Sequence, residues 1–194
     1  MRIHHRHLVA IAATLMCGSA FAQTAADVQR DENQQKRIEQ GLQSGQLNTR
    51  EAGRLEREQQ AVDRMQTQDL KDGKISPKEQ RRLKAAQNKA SQDIYREKHD
   101  AQFGNPNSVS SRRMQVDVQR NVNEQRRIKQ GVKSGQVTNR EAAALEAGQA
   151  RVARKEANAA ADGRVGPAEQ RNIQGSENHQ SKRVYRKKHN ARTK

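Results

Sequence analysis

The chain repeats itself at a fixed offset of 90 residues, and this duplication constrains its fold more than any other feature. Ala26–Gln102 aligns without a gap with Val116–Arg192, and 34 of the 77 aligned positions are identical. A match of that length indicates a duplication, so we expect both copies to share a fold. Residues 26–102 are called the first copy below, and residues 116–192 the second copy.

Each copy contains two related turns that predict helix ends. A glycine that can take positive φ ends one helix, and a small polar residue three positions before a glutamate caps the next. A proline at the first helical position reinforces the later turn of each copy. We therefore predict three helices per copy, roughly at 28–43, 49–70 and 77–98 in the first. The turns are Ser44–Glu51, Asp72–Glu79, Ser134–Glu141 and Asp162–Glu169.

The apolar residues are few but follow a helical period. Leu83, Ala86, Ala90 and Ile94 would share one buried face, whereas the second copy has Ile173, Ser176 and Gln180 at the first three of these positions. The last helix of the second copy is therefore expected to fold only on docking or on binding a ligand. The sequence predicts an all-α fold of two tandem three-helix units joined by a short linker. Long helices paired with another chain are the alternative.

The N-terminus has the three-part layout of a secretory signal peptide. Arg2 and Arg6 precede an apolar run from Leu8 to Met16, and Ala20 and Ala22 supply small residues before a cut at Gln23. The run is too short for a permanent anchor, which needs about 20 residues. We therefore expect a periplasmic or secreted protein without a transmembrane anchor. The predicted parts are a signal peptide at 1–22, repeat 1 at 23–102, a linker at 103–115, and repeat 2 with a basic tail at 116–194.

The positive charge is concentrated in the second half. Residues 23–102 carry 16 basic and 14 acidic side chains, whereas residues 103–194 carry 20 and 8. A basic block attracts polyanions through its long-range field and by counterion release. Lipopolysaccharide, anionic lipid, extracellular DNA and acidic polysaccharide are the candidate partners, and a solvated tail without a partner is the alternative. The candidate polyanion-binding residues are Lys182, Arg183, Arg186, Lys187, Lys188, Arg192 and Lys194.

The Asp-Gly turns resemble the second half of an EF-hand calcium loop, in which Asp72 and Glu79 would stand at ligand positions. The resemblance implies a calcium site there and, in the second copy, at Asp162 and Glu169. The first half of the loop lacks its acidic residues, so a structural turn is the preferred interpretation. The whole chain also resembles small signal-bearing helical proteins of Gram-negative bacteria, which implies a compartment but no activity.

Two further patterns bear on function. Tyr95 and His99 recur as Tyr185 and His189, and we expect each tyrosine to pack against the bundle end while each histidine favours the helix C-terminus. No nucleophilic cysteine, HExxH motif or phosphate-cradling glycine loop is present, and the thin core is expected to offer no dry pocket for shifting carboxyl pKa values.

The sequence thus predicts a non-enzymatic binding or accessory module for an anionic partner, without a cofactor. A calcium-binding protein and a self-associating structural protein are the alternatives.

Overall fold

The computed structural model describes residues 11–190, and side chains from residue 21 onward. Most of the predicted signal peptide therefore lies outside the described side chains, and Arg192 and Lys194 lie outside the described residues. The described part is helical without strands, which confirms the all-α class. Its helices are α1 Ile11–Ser44, α2 Thr49–Asp69, α3 Pro77–Lys98, α4 Val109–Lys133, α5 Asn139–Ala159 and α6 Pro167–Lys188, with a 3₁₀ turn at Ala160–Asp162.

The predicted capping chemistry is confirmed at three of the four turns. The side chain of Asn48 accepts a hydrogen bond from the Glu51 amide (3.0 Å), and the Glu51 carboxylate accepts one from the Asn48 amide (2.9 Å). Ser76 and Thr138 form the same reciprocal pair with their glutamates. At the fourth turn Gly166 has no side chain to contribute, so only its amide donates to Glu169 (2.7 Å). The glycines that end the preceding helices all have positive φ: Gly45, Gly73, Gly135 and Gly163.

The largest helix contacts join equivalent helices of the two copies. α1 packs antiparallel against α4, and α2 packs antiparallel against α5. The ends show the directions: Gln115 near the start of α4 donates to the Leu42 carbonyl near the end of α1 (3.4 Å). Asn139 at the start of α5 donates to the Gly73 carbonyl beyond the end of α2 (3.0 Å). α3 and α6 then cover the α1–α2 and α4–α5 layers from outside.

Both apolar cores draw on residues from both copies. The first combines the end of α1 and the start of α2 with the start of α4 and the end of α5, and it contains Ile38, Leu42, Leu47, Ala52, Leu55, Ile94, Met114, Val118, Ala159, Ala160, Val165 and Ile173. The second lies at the opposite end and contains Ala25, Val28, Leu70, Ile128, Val132, Val137, Ala142, Ala143, Leu145 and Val184. Each copy therefore contributes apolar surface that the other covers.

The last helix of the second copy, α6, is docked against α4 and α5. Its Ile173 and Val184 side chains are buried, and Gln180 donates to the Leu145 carbonyl (2.9 Å). The predicted linker is also partly helical, since Ser108 caps α4 by accepting from the Ser111 amide (3.1 Å). The segment between α3 and α4 docks on the first turn, where the Gly104 amide donates to the Gly45 carbonyl (2.8 Å).

Across residues 11–190, none of the helices has the length and the apolar character that crossing a membrane requires.

Candidate functional site

Each copy carries a shallow groove between its first and third helices. The first groove, between α1 and α3, is lined by Arg30, Arg37, Asn88, Ser91, Gln92, Tyr95 and Arg96. The second groove, between α4 and α6, is lined by Arg127, His179, Ser181, Lys182, Tyr185 and Arg186. Three of the six residues lining the second groove are cations and none is acidic.

Hydrogen bonds on the inner side of each groove hold its walls in the same way in both copies. The Arg37 guanidinium donates to the Ser91 hydroxyl (2.6 Å), and Arg127 donates to the Ser181 hydroxyl (2.7 Å). Arg30 likewise donates to the side-chain oxygen of Asn88. These bonds tie the first helix of each copy to the third, so the remaining groove side chains project from a fixed frame.

An exposed aromatic stack marks each groove. The Tyr95 and His99 rings stack with centroids 4.1 Å apart, and Tyr185 and His189 repeat this geometry at 4.1 Å. The tyrosines are 59% and 58% exposed, so the expectation that they pack against the bundle end is wrong. Each ring instead lies on the imidazole that caps its own helix, which leaves the outer ring face open to a ligand. The expected place of the histidines at the helix C-termini is confirmed.

The two grooves differ in charge at two aligned positions. In the first groove Asp93 pairs with the lining residue Arg96, and also with Lys89, which offsets the charge of Arg96. The second copy has Arg183 in place of Asp93, and Lys182 in place of Gln92. Within the described chain the side chains of Lys182 and Arg186 make no hydrogen bond or ion pair. The second groove therefore presents two unpaired cations beside an exposed tyrosine.

Over residues 21–190 the fold buries most acidic side chains and leaves the basic ones at least partly exposed. Fifteen of the 22 acidic residues are buried, whereas none of the lysines and arginines among residues 21–190 is. Of the eight acidic residues in 103–194, only Asp162 and Glu169 remain exposed. The surface of the second half is consequently more basic than its composition indicates.

The buried carboxyls have raised pKa values. Burial raises the pKa of Asp31 and Glu56 to about 7 and that of Glu146 and Glu177 to about 8. Burial also raises the pKa of Glu156 well above its ordinary value, and the nearby Glu56 adds to this. The expectation that the core cannot shift carboxyl pKa values is therefore wrong. Burial in a thin but closed helix interface supplies the low dielectric that a large apolar core would supply.

Glutamine and asparagine side chains are the partners of these acids. In the first copy Asp31 on α1 accepts hydrogen bonds from Gln66 on α2 and Gln87 on α3. The second copy reverses the roles, because Asn121 on α4 donates to Glu156 on α5 (2.9 Å). Glu177 on α6 stands at the position of Gln87. Swapping acid and amide together keeps donors opposite acceptors, which a buried polar interface requires.

The predicted basic segment is divided between two faces of α6. Lys182 and Arg186 line the second groove, while Arg183 donates to the Ala144 carbonyl (2.7 Å) on α5. Lys187 lies 3.5 Å from the Glu141 carboxylate, and Lys188 is half-buried. The remaining candidates, Arg192 and Lys194, lie outside the described residues.

The four residues that resemble EF-hand ligands all accept hydrogen bonds that belong to turns or to helix caps. Asp72 and Asp162 each accept from the backbone amide two residues later, at 2.9 and 2.8 Å. Glu79 and Glu169 accept from the amides of Ser76 and Gly166. Among the described residues, the carboxylates that gather within 4.8 Å of one another are three others, Glu51, Glu97 and Asp100.

No protein-family model, curated protein or solved structure matches this chain.

Sequence reasoning missed the α4 side of the second groove. Arg127, which lines the groove, lies outside the basic C-terminal run, but it is identical in the two copies because its counterpart is Arg37. Ser181 is likewise retained opposite Arg127. The available signal was that these polar residues are identical in both copies, although the copies differ at more than half of their aligned positions. Apolar periodicity identifies the core and not a polar groove.

Proposed function

We propose that this chain is a non-enzymatic helical binding protein of the periplasm or cell exterior, built of two tandem three-helix copies, that holds an anionic polymer or surface in the groove of its second copy. The observation that carries the proposal is the pair of unpaired cations, Lys182 and Arg186, beside the exposed Tyr185 ring. Cations that have no internal partner are free to release counterions to a polyanion.

The burial of acidic side chains supports the same proposal. A polyanion approaching the second half meets Asp162 and Glu169 as the exposed carboxylates among residues 103–190, so repulsion is small. The tyrosine adds a flat apolar face that can contact a sugar ring or a base. Neither groove is lined by a carboxyl with a raised pKa, which favours binding over acid–base catalysis there.

Removing the two free cations is expected to weaken heparin binding by about tenfold or more, on the basis of about 1 kcal/mol for each surface cation that meets an anionic partner. The variant is Lys182→Gln with Arg186→Ala, assayed by titration at several salt concentrations. The slope of affinity against salt should also become shallower, because fewer counterions are released.

A matched control removes two charges from the equivalent helix of the first copy. Arg81 and Lys84 are exposed on α3, and Arg81→Ala with Lys84→Gln lowers the net charge equally. The control should bind heparin nearly as tightly as the unaltered chain. An equal loss in both variants, or an affinity independent of salt, contradicts the proposal. Parallel titrations with lipopolysaccharide, anionic vesicles and duplex DNA then identify the class of partner.

A further inference from the structure

A buried carboxylate oxygen at the start of α2 lacks a partner. Glu51 is 1% exposed, and its Oε2 accepts the cap hydrogen bond from the Asn48 amide (2.9 Å). Its other oxygen, Oε1, is buried and has no hydrogen-bond partner among the described residues. A buried carboxylate oxygen without a donor or cation is costly.

The second copy satisfies the equivalent oxygen with a cation and an amide. Glu141 Oε2 accepts the cap hydrogen bond from the Thr138 amide, as Glu51 does in the first copy. Glu141 Oε1 accepts a hydrogen bond from the side-chain amide of Asn190 (2.6 Å) and lies 3.5 Å from the Lys187 ammonium. Although burial raises the pKa of Glu141, these partners hold it below its ordinary value. The second copy therefore places a positive charge beside this carboxylate.

The first copy places two more carboxylates there instead. Glu97 and Asp100 are the counterparts of Lys187 and Asn190. One carboxylate oxygen from each of Glu51, Glu97 and Asp100 lies within 4.8 Å of the others. Burial raises the pKa of Glu51, and the charges of Asp100 and Glu97 raise it further. The first copy thus has three carboxylates at the aligned positions where the second copy has one carboxylate, an ammonium group and a side-chain amide.

We propose that Glu51, Glu97 and Asp100 bind a hard divalent cation such as Ca²⁺. The cation would take the role that the Lys187 ammonium group has in the second copy. Three carboxylate oxygens without nitrogen or sulfur ligands select calcium and its class. Glu51 also lines a cleft of about 350 Å³ together with residues 102–105, whereas Glu97 and Asp100 lie outside its lining.

The cation would compete with the Arg54 side chain. The Arg54 guanidinium lies 3.9 Å from Glu97 Oε2, at the limit of an ion pair, and its side chain is 54% exposed. It can move into solvent when a divalent cation enters. Asp100 already accepts from the Gln102 amide (2.8 Å), which fixes the turn that carries it. Neither groove is lined by Glu51, Glu97 or Asp100, so the test of this site is independent of polyanion binding.

Calorimetric titration of the full chain with CaCl₂ is expected to show one ion per chain. At a concentration about 100 times the Kd, the melting temperature should rise by about 5–10 °C. The decisive variant is Glu97→Lys with Asp100→Asn, which installs the residues of the second copy. It should bind no calcium at this site, and its metal-free melting temperature should exceed that of the unaltered chain because the introduced ammonium group would pair with Glu51.

The control variant is Asp72→Asn with Asp162→Asn, which removes the turn aspartates and should keep the calcium response. Circular dichroism of both variants verifies that the helices are intact. The assignment is overturned if the unaltered chain gives no heat or thermal shift with CaCl₂. It is also overturned if the response survives in the Glu97→Lys, Asp100→Asn variant or disappears in the control.

Discussion

The free energy of unfolding is expected to fall by several kcal/mol as the pH rises from 5 to 8.5. The cause is the buried carboxyls whose folded pKa lies above the unfolded value, including Asp117 and Glu124 at about 7 and Glu146 and Glu177 at about 8. Between about pH 4 and pH 8 the folded state holds protons that the unfolded state releases. Stability therefore decreases with rising pH across that window, by about 1.4 kcal/mol per pH unit for each proton that only the folded state retains.

Nearby cations reduce this dependence without reversing it. Arg120 faces Asp117, Glu124 and Glu177, and Arg127 faces Glu124, yet burial outweighs their attraction. Below about pH 4 the stability should fall again, because the carboxylates with lowered pKa values, such as Glu32 and Glu141, lose their partners. Maximum stability is thus expected at about pH 4.

Urea unfolding at fixed salt and a series of pH values measures this directly. The matched variant is Glu156→Gln with Glu177→Gln, which copies Gln66 and Gln87 of the first copy and removes two of the buried acids. Its stability should depend less on pH than that of the unaltered chain. A stability that is flat or rises between pH 5 and pH 8.5 contradicts the account of the buried carboxyls.

Separated halves of the chain are expected not to fold. Each apolar core is shared, so residues 23–105 alone would expose the faces of Ile38, Leu42 and Leu55 that Met114 and Val118 cover. Exposing a large buried aliphatic side chain costs about 1.5–3 kcal/mol, and several are exposed at once. The loss is comparable with the total stability of about 5–15 kcal/mol that domains have.

The measurement is thermal melting of the fragments 23–105 and 106–194, alone and mixed. Each fragment alone should show low helicity and no cooperative transition. The equimolar mixture should regain helix, with a melting temperature that rises with concentration because folding and association are coupled. A fragment that melts cooperatively by itself, near the temperature of the intact chain, would mean that one copy holds a sufficient core.

The helices were predictable because short residue patterns define their ends. Glycine, cap residue and glutamate recur at fixed spacing, so the starts of α2 and α3 at Thr49 and Pro77 follow from sequence. The pairing of α1 with α4 did not follow, because helical periodicity shows which face is apolar but not which helix covers it.

The candidate site was predictable only in part, for a similar reason. Charge along the chain identified Lys182 and Arg186, but not that Arg183 turns toward α5. Buried acids such as Asp31 and Glu156 look like solvated helix faces in sequence, since their burial depends on amides from other helices. The acid–amide exchange between copies was visible as Asp31 with Asn121 and Gln66 with Glu156, and its meaning needed the structure.

The chain offers a direct probe of which groove binds. It has two tyrosines, Tyr95 in the first groove and Tyr185 in the second. Incorporation of 3-fluorotyrosine gives two fluorine NMR signals, which Tyr95→Phe and Tyr185→Phe variants assign. On titration with heparin at low salt, the account predicts that the Tyr185 signal shifts and the Tyr95 signal stays, with the shift reversed at high salt. Equal shifts of both signals, or a shift of Tyr95 alone, would contradict the assignment of binding to the second groove.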